Sequence, residues 1–386
     1  MAEVLLMPRD TLDTIATPAL VLDLARVDRN VARLRAHLAG LGVALRPHLK
    51  TAKSVDVARR LFPEGWGPIT VSTLAEAEYF AAAGATDITY AVGLSPDKIA
   101  RVGALIAGGV DMTVLIDSVA QADALGHAAR DGVALPGVLI EIDCDGHRGG
   151  LLPDDPALIA IADRLRAAGI ALRGVLVHAG ESYACRGGVG LPEAAEQERA
   201  VAVTAAQRLR DHGFPVPVVS VGSTPTAHFA RALDGVSEVR AGVFMFFDLV
   251  MHGIGVCAVD DIALSVLATV IGHRLDKGWI LVDAGWMAMS RDRGTQRHPV
   301  DQGYGLVCDV DGVPYPDLIV ADASQEHGIV AVRPGSGAAL PDLPVGARVR
   351  ILPNHACATG GQHEAYRVVG SGAREVIATW PRMRGW

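Results

Sequence analysis

The stretch Arg46-Pro47-His48-Leu49-Lys50-Thr51-Ala52-Lys53 follows a short apolar run, Val43 to Leu45, and leads into an amphipathic segment. It reads as the end of a strand ahead of a helix. That is an unusual place for a basic cluster unless an anionic or carbonyl-bearing group sits there. Lysine shifts its pKa readily when partly buried and is the side chain used for Schiff bases. Lys50 is therefore the candidate to hold pyridoxal phosphate (PLP) covalently, and the bland alternative is a solvated basic turn. The rest of the chain decides between them.

Outward from this stretch, strand-like runs recur at 43–49, 69–72, 86–92, 111–116, 137–143, 172–178, 217–221 and 236–241, with helix-like segments between most of them. Eight such alternations predict a (β/α)8 TIM barrel. A doubly wound open sheet competes, but no Gly-x-Gly-x-x-Gly follows the first strand. Ahead of the barrel strands, residues 17–25 read as a short strand ending at Asp23, an N-cap residue. Val27, Val31, Leu34, Leu38 and Leu41 then recur at helical spacing until Gly42. Thr73-x-x-Glu76 is a capping-box pattern, and Ser95-Pro96 and Asp155-Pro156 place caps before first-turn prolines. Gly84, Gly108, Gly169 and Gly213 stand where helices should stop. After about residue 250 the helical periodicity gives way to Val- and Ile-rich runs at 263–272, 278–283, 328–333, 347–352 and 366–370, which predict an all-β domain. The expected division is a barrel over 15–250 and a β domain over 251–386, with residues 1–14 packing on the latter.

A chain of 386 residues fits two domains. No apolar run reaches the ~18 residues a membrane span needs, and Met1–Met7 lacks the basic start of a signal peptide. Five scattered cysteines make no disulfide framework, so a reducing cytoplasm is the expected setting. A net charge of −8 argues against a nucleic-acid partner.

Active sites of such barrels lie at the C-terminal strand ends. There the sequence places His48-Leu49-Lys50, Asp143 to Gly149 with Arg148, His178 to Tyr183, Gly222-Ser223-Thr224-Pro225-Thr226, and Arg240-Ala241-Gly242-Val243. The Gly222-Ser223-Thr224 loop offers backbone N–H groups and hydroxyls at a predicted helix start, which suits a phosphate, although most such sequences are plain capped turns. Arg148 and Arg240 are candidates for the cofactor's phenolic oxygen and ring nitrogen, against the ordinary fate of surface ion pairing. His178 is either a satisfied buried histidine or a residue that orients Arg240 or flanks the ring. Near the C-terminus, His355 and Cys357 would share one face of an extended segment. An imidazole–thiol pair there suits Zn²⁺ or a similar borderline-soft ion, the alternative being a buried cysteine beside a hydrogen-bonded histidine.

Taken together, these residues resemble the D-threonine aldolase and D-serine dehydratase family, PLP enzymes related to alanine racemase. The likeness runs from Thr17-Pro18-Ala19-Leu20 to Pro353-Asn354-His355-Ala356-Cys357 and centres on Arg-Pro-His-x-Lys-Thr-x-Lys. It continues in Ile142-Asp143-x-Asp145-Gly146-His147-Arg148, in Val219 to Thr226, in Glu238-Val239-Arg240-Ala241-Gly242-Val243, and in Val282 to Thr295. The resemblance implies an alanine-racemase-like barrel followed by a β domain and a homodimer in which the partner's β domain completes each site. It implies that Lys50 forms the Schiff base to PLP and acts as base. Tyr183, Ser223, Thr224, Gly242 and Val243 join the cofactor set, and His355 and Cys357 hold a divalent metal (Zn, Mn, Co or Mg). Aldolases of the family carry His-x-Asp at the metal pair and dehydratases carry His-x-Cys, the form found here.

The expected reaction is dehydration of a D-3-hydroxy amino acid, with D-threo-3-hydroxyaspartate giving oxaloacetate and ammonia. Arg291 and Arg293 are the candidate readers of the distal carboxylate, unless they belong to a solvated turn. Retro-aldol cleavage to glycine and an aldehyde (glyoxylate from hydroxyaspartate) is the alternative outcome. A non-catalytic PLP-binding barrel and a racemase rank lower, because the C-terminal region reads as metal-binding.

Overall fold

Alternating buried strands and amphipathic helices close on themselves in the computed structural model, which describes residues 10–386 apart from positions 187 and 371. The described residues divide into two units, Val31–Phe244 with Met383–Trp386, and residues 10–30 with Met245–Arg382.

The first unit is the expected barrel. Its strands are β2 (Ala44–Pro47), β3 (Ile69–Val71), β4 (Asp87–Gly93), β5 (Asp111–Ile116), β6 (Gly137–Ile142), β7 (Leu172–Val177), β8 (Val218–Val221) and β9 (Glu238–Ala241), preceded in the chain by β1 (Ala19–Asp23) of the other unit. They pair in parallel in the order β2-β9-β8-β7-β6-β5-β4-β3. The cylinder shuts where His48 bridges Thr70 and the Leu49 N–H donates to the Thr70 carbonyl at 2.9 Å. Leu115, Leu139 and Leu176 from three adjacent strands pack in one layer, each at most 2% exposed. A fully buried leucine of this kind contributes about 2 kcal/mol.

Helix ends follow the sequence signals in part. Gly84, Gly169 and Gly213 adopt φ of +102°, +70° and +76° just past helices, the left-handed conformation that glycine tolerates. The capping box at Thr73 forms only half: Thr73 Oγ1 accepts the Glu76 N–H at 3.1 Å, but Glu76 reaches instead to the Ser72 N–H at 2.9 Å and to Lys53 Nζ at 3.1 Å. A cation nearby outbids the cap.

The second unit is a nine-stranded sheet. After β10 (Leu264–Arg274) and β11 (Trp279–Val282) come β12 (Gly305–Cys308), β13 (Pro314–Ala323), β14 (Gly328–Val332), β15 (Arg348–Pro353), β16 (Ala365–Val369) and β17 (Val376–Pro381), in the order β11-β14-β13-β12-β15-β10-β1-β16-β17. Its position corrects the expected boundaries. β1 lies between β10, antiparallel to it, and β16, parallel to it, so the segment from 15 to 30 groups with this sheet rather than with the barrel. All five residues of β1 are buried, as befits a strand flanked on both edges. The division falls within the helix Leu24–Gly40, which Asp23 caps by accepting the Arg26 N–H at 3.0 Å. Leu12 and Ile15 pack with Ala19, Val21, Leu267 and Val369. Residues 1–9 of the segment expected to pack on the β domain lie outside the described residues.

Candidate functional site

Three residues beyond the end of β2, Lys50 is exposed at the barrel mouth, and its amine makes no hydrogen bond or ion pair among the described residues. The strand that brings it there is held by Arg46, whose Nε donates to Glu238 and whose Nη1 donates to Asp87, both at 2.7 Å. Beside Lys50, His48 Nε2 lies 2.9 Å from Ser72 Oγ. Burial, then the charges of Lys50 and Arg240, hold the His48 imidazole well below its ordinary value.

Arg240 is 4% exposed on β9. Its Nη1 donates to Ser220 Oγ at 2.5 Å and its Nη2 to the Val177 carbonyl at 2.6 Å. The Ser220 hydroxyl donates onward to Glu238 at 2.6 Å, so one polar network joins Arg46, Glu238, Ser220 and Arg240. Burial lowers the guanidinium to about 10, against the pull of Glu238, Glu198 and Glu141, and it stays charged at neutral pH. Arg148 is exposed, with Nη2 at 3.9 Å from Glu141.

His178 follows β7, and its Nδ1 lies 2.9 Å from the Gly222 carbonyl. A carbonyl only accepts, so Nδ1 carries the proton and Nε2 is left with its lone pair. Burial takes this imidazole down to about 3, so it is neutral. Tyr183, in the short 3-10 helix Gly180–Ala184, has its ring centroid 6.4 Å from that of His178.

The loop after β8 differs from expectation in one respect. The Gly222 N–H is donated to Glu198 Oε1 at 3.0 Å and the Ser223 N–H to Thr226 Oγ1 at 3.0 Å, so these two groups are already committed within the protein. Ser223 caps the helix Thr224–Phe229 and meets Ser182 Oγ at 3.0 Å. Thr224 Oγ1, by contrast, is buried with no hydrogen-bond partner among the described residues, a polar atom poised for a ligand oxygen. Gly242 approaches the turn of the motif so closely that a Cβ there would lie 2.9 Å from the His48 carbonyl. Val243 is buried beside it. A primary amine, an unpartnered hydroxyl, a neutral imidazole and a buried guanidinium converge on the strand ends, and this set fits PLP.

In the β unit, β15 delivers Asn354 and His355. The two are not followed by an extended segment, as i and i+2 on one face would require. Asp248 Oδ2 accepts the Ala356 N–H at 2.9 Å and the chain turns into the helix Ala356–Gly360, with His355 at its N-cap. Cys357 nevertheless hydrogen-bonds the His355 imidazole. His355 Nδ1 donates to Asp292 Oδ2 at 2.8 Å, which leaves Nε2 for a metal. Burial opposes the charged imidazole, but Cys357 and Asp292 outweigh it and hold His355 well above its ordinary value. The His355 contact in turn holds the Asp292 carboxyl low. No group of three His, Cys, Asp or Glu side chains forms a metal cluster among the described residues. An N/S pair with a carboxylate behind the imidazole fits a divalent ion whose other positions go to water or substrate. Asn354 fixes the relative placement, accepting from the Thr295 hydroxyl at 2.6 Å and donating to the Gly303 carbonyl at 2.6 Å.

Arg291 is exposed, its guanidinium 4.5 Å from the Trp286 ring centroid. Arg293 is committed to Asp301 at 2.8 Å and lies over Tyr304. Sequence reasoning passed over Glu198, Glu238, Ser72 and Asp292. Only Glu238 left a signal, standing two residues before Arg240 and hence on the same strand face.

Two family models match: the alanine racemase N-terminal domain over residues 22–250 and the serine dehydratase domain over residues 263–369. The chain is 54% identical over 383 residues to D-threo-3-hydroxyaspartate dehydratase of Delftia sp. (strain HT23), covering 98% of this chain and 100% of that one. It is 31% identical over 375 residues to D-threonine aldolase of Arthrobacter sp., covering 96% and 93%. A solved mutant of D-threo-3-hydroxyaspartate dehydratase in the metal-free form superposes with a TM-score of 0.94 at 53% identity, over 98% of this chain and 100% of that one.

Proposed function

The chain belongs to the family that joins an alanine racemase N-terminal domain to a serine dehydratase domain, and from that premise we propose a PLP- and divalent-metal-dependent lyase. Its reaction is the dehydration of a D-3-hydroxy amino acid, with D-threo-3-hydroxyaspartate giving oxaloacetate and ammonia. The observation that carries this reading is the His355–Cys357 pair with Asp292 behind the imidazole, a donor set for a borderline-soft ion in the dehydratase rather than the aldolase form. The 54% identity along the whole chain to a dehydratase supports the same outcome.

Lys50 would hold PLP covalently, with Arg148, His178, Tyr183, Gly222, Ser223, Thr224, Arg240, Gly242 and Val243 around it, and His355 and Cys357 would hold the metal. When bound, PLP supplies an electron sink for charge developing at the α-carbon, and the metal supplies a Lewis acid for the departing β-hydroxyl. The protein's own part begins with the Lys50 amine, which takes the α-proton at Nζ once it is released from its covalent role. Arg240 stays charged at neutral pH and has no proton to give up, so it orients a ring nitrogen without protonating it. Neutral His178 presents an acceptor at Nε2 rather than a second cation. Arg291 is the better-placed reader of a distal carboxylate, because Asp301 already holds Arg293. Homodimer formation belongs to the same reading. So does a cytoplasmic setting, which five free cysteines support.

The test is product analysis. Purified enzyme loaded with PLP is incubated with D-threo-3-hydroxyaspartate, D-serine and D-threonine, with and without chelator. Ammonia plus keto acid, lost on chelation, is the expected result. Glycine plus an aldehyde would move the chain to the aldolases, and full activity after thorough chelation would discard the metal role.

A further inference from the structure

Glu198 lies on the helix Leu191–Asp211 behind β7 and β8, 2% exposed, and takes no part in the chemistry above. It is nonetheless bonded to both loops that carry cofactor candidates. Oε1 accepts the Ala179 N–H at 2.9 Å and the Gly222 N–H at 3.0 Å, and Oε2 accepts the Thr226 hydroxyl at 2.7 Å. These bonds propagate. A hydroxyl that gives its hydrogen to a carboxylate turns its lone pairs elsewhere, and Thr226 Oγ1 accepts the Ser223 N–H at 3.0 Å. That N–H belongs to the same planar peptide unit as the Gly222 carbonyl, so fixing one end fixes the other. The carbonyl end accepts the His178 Nδ1–H at 2.9 Å.

We propose that Glu198 is a positioning residue that, through Thr226 and the Gly222–Ser223 peptide, sets the tautomer of His178 and the shape of the loop that receives the cofactor phosphate. The inference rests on the reading of the barrel mouth as a PLP site. It has a sign that a purely electrostatic role lacks. A carboxylate behind a phosphate loop repels the phosphate, so on charge alone Glu198→Gln would bind PLP more tightly. On the positioning account it binds more weakly. The glutamine amide donates where the carboxylate accepted, so Thr226 must reverse its hydroxyl toward Ser223 Oγ, 3.0 Å away, and loosen its hold on the peptide.

Two measurements on the full-length protein test this. The first is PLP titration of PLP-free wild type, Glu198→Gln and Thr226→Val, the last breaking the relay one step further on. Roughly tenfold or weaker binding is expected in both variants. The second is ¹⁵N spectroscopy of histidine-labelled, PLP-free protein. The wild type is expected to show His178 as the neutral Nδ1–H tautomer, and both variants a mixture. Unchanged or tighter PLP binding in the variants overturns the proposal, and so does an unaltered tautomer. If Glu198→Gln fails to fold, Thr226→Val carries the test alone. A wild type that takes up no PLP would refute the cofactor site itself, and the tautomer measurement would then still judge the relay.

Discussion

Asp292 needs no bond to a metal to govern one. By accepting the His355 Nδ1–H it fixes the ring's orientation and tautomer, and its negative charge raises the basicity of Nε2. Asp292→Asn keeps the shape and an acceptor oxygen but removes the charge, and is expected to weaken divalent-metal binding by roughly 10- to 100-fold. Equilibrium dialysis would read this, with PLP uptake as the control, which should not change. Metal affinity within twofold of wild type would mean the carboxylate only packs. Nothing in the sequence hints at this role. Asp292 stands between two arginines that drew attention as cations, and its partner lies 63 residues away. Glu198 was equally silent, since a glutamate in a polar helix reads as solvated until the fold puts two loops against it. Lys50, His355 and Cys357 were legible because their chemistry is carried by residue type and short spacing.

All eight barrel strands stand at the expected places to within two residues, because short apolar runs alternate with helix-like segments even where a strand carries charge, as β2 does at Arg46 and β9 at Glu238 and Arg240. Two of the strands left unread in the β unit have a local reason: β13 holds Pro314 and Pro316 and is exposed in part, and β17 alternates half-buried with exposed positions on the sheet's edge. The loop after β8 shows what a motif does not reveal. Its glycine suggests free N–H groups, yet Gly222 is required for shape. Its φ is +138°, and a Cβ there would sit 2.0 Å from the Arg240 carbonyl oxygen. Gly222→Ala is therefore expected to displace the loop from β9, with loss of PLP uptake and a cost of about 3 kcal/mol in stability. Thermal unfolding with and without PLP reads both, and near-wild-type values would show that the loop has slack.

Across the whole molecule the sequence supplied the order of the two architectures but not the seam between them. β1 and its partners β10 and β16 are far apart in the chain, and pairing between distant strands leaves no local pattern. Stability is where the buried polar network of the barrel becomes measurable. His178 is held neutral, with its pKa at about 3 against an unfolded value near 6.5, so the unfolded chain binds a proton that the native state refuses. The sign follows. The contribution is fully present above pH 6.5 and is lost as pH falls toward 3. Buried Glu141, Glu198 and Asp248 have pKa values raised by burial and act in the opposite direction, so a raw pH–stability curve mixes the two. Comparison with His178→Gln isolates the histidine. Between pH 7 and 5 the PLP-free wild type is expected to lose up to about 2 kcal/mol more than the variant in urea unfolding, narrowing whatever advantage it holds at pH 7. Parallel losses for the two proteins would mean that His178 accepts its proton in the folded state as readily as in water, and burial would then not be holding the ring neutral against the hydrogen bond to Gly222, which favours the charged form.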